Sequence, residues 1–403
     1  MSSKIYITGL GVISGIGNNV AESLASLEQM KSGIGTLHNV RSRHKEIVPV
    51  GEVKSSNEQL TLMAGLKPEQ RSTRTALLGL IAAQEAVKSA GIINIKEFRT
   101  GIISATSVGG MGMTEDLWLD YLNQEKSGDW LKYIEAHECG DSTEFIADNL
   151  GIKEYLSTIS TACSSSANSI MFGARLIKHG LLDRVIVGGT DSMARFTING
   201  FMTLMILDKE QCKPFDANRQ GLNLGEGAGF IVIESEKAAQ GKEILAELSG
   251  YGNSNDAYHQ TASSPDGAGA YLAMEKAFKI SGLKPSDIDY INAHGTGTTI
   301  NDLSEGTAID RLFSKNVPDI SSTKAYTGHT LGACAGIEAV FSVLAIKHNL
   351  IFPNMNYKTQ MEELSFTPTT TLEKNKKINH VLSNSFGFGG NTSALIFSRH
   401  KKS

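Results

Sequence analysis

The sequence has few cysteines and no extended run of charge of one sign. Its four cysteines include no CxxC pair and no nearby histidine pair at ligand spacing, which argues against a disulfide framework or a zinc site. The net charge of -4 and the pI near 6.2 give no sign of a nucleic-acid-binding surface, since basic residues run together only at 399–402. The absence of a disulfide framework fits a protein of a reducing compartment.

Long apolar segments are also scarce. The β-branched stretch at 5–9 is too short for the apolar core of a signal peptide, and no apolar run is predicted to approach membrane-spanning length. We therefore expect a soluble cytoplasmic protein with no membrane partner.

Glycine is abundant, at 41 of 403 residues, and it concentrates directly after apolar strands. Strands alternating with helices across such turns predict an α/β protein. The order strand-turn, elbow-helix, strand-turn occurs twice, so we predict an internal duplication with halves at 1–245 and 246–403. The Gly9-x-Gly11 pair does not fit a dinucleotide site, because Ser14 occupies the third glycine position; we predict turn glycines.

Cys163 lies where a β-like run at 155–160 gives way to a helical pattern at 167–178. At a helix N-terminus, free N–H groups and the helix dipole favour thiolate, so Cys163 is a candidate nucleophile. The alternative for a single cysteine is a small buried apolar residue.

Polar, glycine-flanked turns end other predicted strands, at 292–296, 323–329 and 384–390. Ligands of α/β proteins gather at such strand ends. The turns carry His294 and His329, although each histidine alone also fits a hydrogen-bonded structural role.

Four segments then point to one family: TACSSS at 161–166, NAHGTGT at 292–298, TKAYTGH at 323–329 and SNSFGFGG at 383–390. In this order and over the whole chain they resemble the β-ketoacyl-acyl carrier protein synthases of the elongating class, types I and II. The resemblance implies the thiolase fold, which is α/β, internally duplicated and built of five layers, α-β-α-β-α. The cysteine elbow would then lie in the first half and both histidines in the second.

The resemblance also implies a Cys-His-His site. Cys163 would accept the acyl group, and His294 and His329 would attend the malonyl thioester. The site lysine would be Lys324, for which we predict Glu338 as the partner, a surface pair being the alternative. The other implied site residues are Phe388 as gate and oxyanion residue, Thr296 and Thr298 in the phosphopantetheine channel, and Val108, Phe201 and Phe386 around the substrate.

Such a site would run a two-step condensation. The cysteine forms an acyl-enzyme, malonyl-carrier loses carbon dioxide, and the resulting enolate carbon attacks the acyl-cysteine. No metal or bound cofactor is implied, because the substrates arrive on the phosphopantetheine of acyl carrier protein.

The implied partners are an acyl carrier protein and a second copy in a homodimer. Carrier proteins are acidic, so Lys67, Arg71 and Arg74 are candidate contacts, the alternative being solvated charges at a helix start. Leu204 falls where the family often has an arginine, so we expect a partly apolar carrier contact.

Some departures from the family leave the pathway open. Asn391-Thr392 reverses the usual order of the two residues after GFGG, and Val108 leaves room for a long or rigid acyl chain. Fatty-acid elongation is the first hypothesis, and a specialised pathway making an aryl polyene or a type II polyketide is the second. A chain-length factor lacks the cysteine nucleophile, so Cys163 argues against that identity, whereas a heterodimer with such a subunit stays open. A thiolase is disfavoured because its second cysteine and its histidine motifs are not seen.

Overall fold

The computed structural model describes residues 4–67, 70, 72–126, 128–314 and 316–401. Its strands are β1 (Tyr6–Ser14), β2 (Thr100–Ala105), β3 (Tyr155–Ile159), β4 (Arg184–Asp191), β5 (Gly227–Glu234), β6 (Ala246–Asn255), β7 (Tyr290–Asn292), β8 (Asp319–Ser321), β9 (Leu350–Ile351), β10 (Glu373–Lys374), β11 (His380–Gly387) and β12 (Asn391–Ser398).

Its α-helices are α1 (Val20–Glu28), α2 (Asn57–Met63), α3 (Arg74–Ser89), α4 (Met111–Leu122), α5 (Cys139–Leu150), α6 (Ser165–Lys178), α7 (Arg195–Thr203), α8 (Glu236–Ala239), α9 (Ala268–Ser281), α10 (Thr299–Phe313), α11 (Lys324–Thr327) and α12 (Cys334–His348). Short 3-10 helices cover Ile95–Glu97, Asp129–His137, Pro285–Asp287, Leu331–Ala333 and Phe388–Gly390.

The strand order repeats between the two parts of the chain. In the described residues, ten strands pair in the order β3-β2-β4-β5-β1-β6-β12-β11-β7-β8. Read outward from the central β1–β6 pair, each side has two antiparallel pairings followed by two parallel ones. This repetition supports a duplicated chain, while the division at 245/246 stays a prediction.

Three apolar clusters define the layers. The central cluster contains α6 and α12 and receives side chains from strands of both parts. A second cluster packs α3 and α5 against β1, β2, β4 and β5, and a third packs α9 and α10 on strands of the second part. The layers therefore run α-β-α-β-α, as predicted.

The central helix α12 is buried on all sides from Cys334 to Ile346 and is mostly apolar, because strands of both parts of the chain pack around it. The window Leu331–His348 has 18 residues and a mean hydropathy of 1.4, which is enough to span a membrane by length and composition alone. The prediction that no apolar run approaches this length was wrong. Since 89% of the window is buried inside the protein, the core packing accounts for its composition.

The glycine pair near the N-terminus also differs from expectation. Gly9 and Gly11 lie inside β1 and are not turn residues. A Cβ on Gly9 would come 2.1 Å from the Ala86 carbonyl oxygen, and one on Gly11 would come 1.9 Å from that of Ala82. The strand needs glycine there because α3 lies directly on its backbone.

Candidate active site

The strand-to-helix elbow is where the sequence predicted it. Cys163 follows Ala162, which has a φ of +53°, and lies two residues before the start of α6. The Ser165 hydroxyl accepts a hydrogen bond from the Thr161 N–H at 2.8 Å and donates one to the Ala162 carbonyl oxygen at 2.5 Å. Since both bonds close the turn, they fix the backbone that presents Cys163.

A cavity of about 220 Å³ opens at Cys163 and gathers most of the predicted site. It lies where the ends of β7 and β11 meet the cysteine elbow. The sequence-predicted residues that line it are Cys163, Phe201, His294, Thr296, Thr298, His329, Phe386 and Phe388.

The two histidines lie against each other at the base of this cavity. The ring centroids of His294 and His329 are 5.3 Å apart, the rings are nearly perpendicular, and both side chains are buried. Nδ1 of His329 accepts a hydrogen bond from the Leu331 N–H at 3.1 Å. In the neutral ring the proton is therefore on Nε2.

The backbone around His294 is held by a buried carboxylate. The N–H groups of His294 and Gly295 donate to Glu305 at 2.9 and 2.8 Å. Burial raises the pKa of Glu305 to about 7, against the lowering effect of these bonds. Within the described residues, no hydrogen-bond partner faces Nδ1 of His294.

Electrostatics keep both imidazoles neutral. Burial, followed by the charge of Lys324, lowers the pKa of His294 and of His329 well below 6.5. A neutral imidazole offers one N–H as a hydrogen-bond donor. The pair can therefore donate to a developing oxyanion without first losing a proton.

The ionisation state of Cys163 differs from the sequence prediction. Burial raises its pKa to about 12, against the lowering effects of the Lys324 charge and the Phe388 N–H. The predicted effect of the helix N-terminus, which favours thiolate, is therefore outweighed by desolvation, and the resting group is a thiol.

Lys324 and Glu338 form the ion pair that the sequence predicted. Nζ of Lys324 lies 2.5 Å from Oε1 of Glu338, and the side chains are 2% and 3% exposed. The Ser385 hydroxyl donates to the other Glu338 oxygen at 3.3 Å. The surface-pair alternative is excluded by this burial.

The glycine turn after β11 comes very close to the cysteine. A Cβ on Gly387 would lie 2.9 Å from the Cys163 backbone nitrogen, so only glycine allows this approach. Phe388 follows directly, and its ring stacks on Phe201 with centroids 5.7 Å apart. The backbone N–H groups of Cys163 and Phe388 both lie within hydrogen-bonding reach of the Cys163 thiol.

Val108 lies behind the cavity and does not line it. It packs in an apolar cluster that contains Phe201 and Leu222 from the cavity wall and Met193 from the far side. Met193 in turn lines a separate cleft of about 670 Å³. Val108 therefore packs against a cluster whose other members line the cysteine cavity and a second open space.

The residues predicted to contact the carrier protein differ in their exposure. Arg74 is withdrawn into a buried ion pair with Glu226 at 2.7 Å and donates to backbone carbonyl oxygens, so its proposal as a free surface contact was wrong. Arg71 lies outside the described residues. Lys67 is exposed, and Leu204 is 41% exposed next to Met205, which lines the cavity.

The sequence analysis did not identify two acidic residues of α10 that contact the site, Asp302 and Glu305. Asp302 accepts from the Thr296 N–H at 2.9 Å, and Glu305 holds the His294 turn. The two residues are three positions apart and follow directly after a polar turn, so both carboxylates lie on one face of the helix. This spacing could have identified them from the sequence. Asp191, which contacts the turn at 106–108, gave no such signal because it follows an apolar strand.

His294, Cys334 and Glu338 offer ligand atoms within 4.8 Å of one another. The Lys324 ammonium is already paired with the Glu338 carboxylate, and its positive charge would repel a metal ion bound to that carboxylate. The set is therefore a poor cation site.

A buried cysteine at a helix start, two neutral histidines and a glycine-lined donor turn define an acyl-transfer site in a thiolase-like fold. Comparisons with known proteins agree. The family described as "Beta-ketoacyl synthase, N-terminal domain" matches residues 2–239, and its C-terminal domain matches 245–358. The chain is 33% identical over 411 residues to 3-oxoacyl-[acyl-carrier-protein] synthase 2 of Staphylococcus aureus (strain COL), covering 99% of both.

Solved structures give the same result. The ishigamide ketosynthase/chain length factor is 29% identical with a TM-score of 0.92 and full coverage of both chains. A ketosynthase in complex with its chain length factor from Xenorhabdus doucetiae is 31% identical with a TM-score of 0.87, covering 99% of this chain and 98% of that one. This chain belongs to the β-ketoacyl synthase family and is a condensing enzyme of the acyltransferase class.

Proposed function

We propose that this protein condenses an acyl group, held on Cys163, with malonyl-acyl carrier protein by a decarboxylative Claisen reaction. The observation that carries the proposal is the meeting of Cys163, His294 and His329 in one cavity beside the Phe388 turn. No bound cofactor is needed, since phosphopantetheine of the carrier brings both substrates.

In the first half-reaction the Cys163 sulfur attacks the acyl thioester. The thiol gives up its proton to solvent as the carbonyl oxygen becomes an oxyanion. The C–S bond to the carrier then breaks, and the carrier sulfur takes up a proton and departs as a thiol while the new thioester remains. The N–H groups of Cys163 and Phe388 are positioned to receive that oxyanion, because Gly387 permits the close approach. The product is an acyl-enzyme and a free carrier thiol.

In the second half-reaction malonyl-carrier enters through the channel at Thr296 and Thr298. The C–C bond to its carboxylate breaks, carbon dioxide leaves, and the electron pair becomes an enolate. The N–H groups of His294 and His329 donate to the enolate oxygen, and Lys324 adds positive charge nearby. The enolate carbon then forms the new C–C bond to the acyl carbonyl carbon, the C–S bond to Cys163 breaks, and the sulfur leaves as a thiolate that takes up a proton from solvent.

Exposed residues support two proposed partners, a second subunit and an acyl carrier protein. An exposed apolar strip on α4, with Trp118, Leu119 and Leu122 at 52%, 71% and 57% exposure, supports a subunit interface. We propose a homodimer, or a heterodimer with a chain-length-factor-like subunit, in the cytoplasm. Lys67 and the exposed Leu204 are the proposed carrier contacts.

Fatty-acid elongation is the first proposed role, in line with the Staphylococcus aureus relative. A specialised pathway, aryl polyene or type II polyketide, is the second. It is favoured by the likeness to ketosynthases described together with chain length factors, at TM-scores of 0.92 and 0.87.

The test is covalent loading. Incubation with acyl-carrier proteins of graded chain length should add one acyl mass to the parent protein, as measured by intact-protein mass spectrometry. Cys163→Ala should abolish the adduct, whereas Cys212→Ala, a buried cysteine outside the cavity, should retain it. Absence of an adduct with every carrier, or an adduct that survives Cys163→Ala, would contradict the proposal.

A further inference from the structure

Asp191 is a fully buried carboxylate at the end of β4, and it joins two turns that are distant in sequence. From the turn after β2 it accepts hydrogen bonds from the hydroxyls of Thr106 and Ser107 and from the N–H groups of Ser107 and Val108. From the turn before α12 it accepts the Gly332 N–H at 2.7 Å. Burial raises its pKa, and these donors act in the opposite direction.

The second of these turns carries the contact that orients His329. The Leu331 N–H, adjacent to Gly332, donates to Nδ1 of His329 at 3.1 Å. Leu331 has a φ of +53°, an unfavourable value for a leucine, so surrounding contacts must hold this turn. The Asp191 bond to Gly332 is one residue away and is fully desolvated.

The lack of a side chain at Gly332 allows its backbone to approach the Asp191 carboxylate closely. A Cβ at this position would lie 2.9 Å from Oδ2 of Asp191 and 3.1 Å from the Ser107 nitrogen. The glycine therefore lets the His329 turn come within hydrogen-bond distance of Asp191.

We infer that Asp191 is a positioning residue that holds the Leu331–Gly332 turn and so fixes His329 with its Nε2 proton facing the cavity. The inference rests on the proposed function for its catalytic consequence. Asp191 does not touch the reacting atoms; it acts through the Gly332 and Leu331 peptides. Loss of its bond should loosen His329 more than the Cys163 elbow, because Asp191 makes no hydrogen bond to residues 161–166, which Cys334 and Gly336 hold from α12. The Asp191 charge raises the pKa of Cys163, so removing that charge should not slow the attack of the thiol.

Two variants test this role, one that changes the acceptor Asp191 and one that changes the donor residue Gly332. Asp191→Asn keeps the shape but replaces one acceptor oxygen with a donor that cannot accept from the surrounding N–H and O–H groups. Gly332→Ala leaves Asp191 intact and pushes the turn away from it. Asp183→Asn is the matched control, because this carboxylate lies next to the other end of β4 and binds Arg99 at 3.0 Å.

The half-reactions are measured separately. Loading uses a two-carbon acyl-carrier, so that the turn at Val108 is not probed, and decarboxylation uses acylated enzyme with malonyl-carrier in a single turnover. Asp191→Asn and Gly332→Ala should slow decarboxylation by about 10- to 100-fold, the range expected when a catalytic group shifts by up to an ångström. Loading should change by less than about threefold in both, and the Asp183→Asn control should change neither half-reaction by more than its loss of folded protein explains.

A third readout does not depend on activity. Histidine ¹⁵N NMR, with the His329 signal assigned by His329→Ala, should show the Nε2–H form in the parent and in Asp183→Asn, and a changed or averaged signal in the two test variants. An unchanged His329 signal, or equal losses in both half-reactions, would overturn the inference. If the parent neither loads nor releases carbon dioxide, the proposed function fails, while the NMR result still decides the role of Asp191.

Discussion

The buried ion pair gives a stability prediction whose size can be worked out. Glu338→Gln removes the carboxylate 2.5 Å from Nζ of Lys324 and leaves an ammonium 2% exposed without a counter-charge. Breaking a buried pair in this way costs about 3–5 kcal/mol. The Lys347–Glu243 pair, with side chains 39% and 73% exposed, is the matched control, and Glu243→Gln should cost less than about 1 kcal/mol.

Urea unfolding followed by far-UV circular dichroism measures both variants against the parent. Burial lowers the pKa of Lys324, but the charge and hydrogen bond of Glu338, together with Cys334 and Glu305, more than offset it, and the folded pKa is raised above 10.5. The stabilisation is therefore fully present below 10.5 and is lost as the pH rises through the folded pKa. The gap between parent and Glu338→Gln should persist at neutral pH and shrink at more alkaline pH.

The double variant Lys324→Met with Glu338→Leu should recover much of the lost stability, because it removes both charges and their desolvation cost. A Glu338→Gln loss no greater than that of Glu243→Gln would refute the assignment of a strong buried pair.

The remaining predictions concern the pocket and the histidines. Val108→Phe should load long acyl chains onto Cys163 more slowly than the parent does, while two-carbon loading serves as the internal control; equal loading of long chains by both proteins would contradict a role for Val108 in chain length. Because the pKa values of His294 and His329 lie well below 6.5, both rings stay neutral as the pH falls from about 8 to about 6. The decarboxylation rate of acylated enzyme should be flat over that interval, and a titration centred near 6.5 would show that a histidine is protonated in the free site.

Much of the site could be predicted because its parts lie in short turns with local signatures. The change from period-two to helical spacing placed Cys163 before α6, and the glycine-flanked turns placed His294, His329 and Phe388 at strand ends. Helix α3 likewise has local signals in its sequence, namely a regular apolar face and Thr73 as the N-cap.

What could not be predicted depends on contacts between distant segments. Gly9 and Gly11 looked like turn residues because the helix that covers them begins more than 60 residues later. Arg74 looked like a surface cation because its partner, Glu226, lies in another segment. The role of Asp191 could not be predicted either, because its hydrogen-bond donors lie far away in sequence, at residues 106–108 and at Gly332.

The resting ionisation states follow from burial, and they limit how the nucleophile works. With a Cys163 pKa raised to about 12 and imidazole pKa values lowered well below 6.5, the resting site holds a thiol and neutral imidazoles, not a thiolate–imidazolium pair. In the proposed mechanism, sulfur therefore loses its proton as the bond to the acyl carbon forms, not before. The buried ammonium of Lys324 lowers the pKa of the thiol and of both histidines. It thus favours negative charge on sulfur in the first half-reaction and neutral N–H donors for the enolate in the second, so a single ammonium assists both steps.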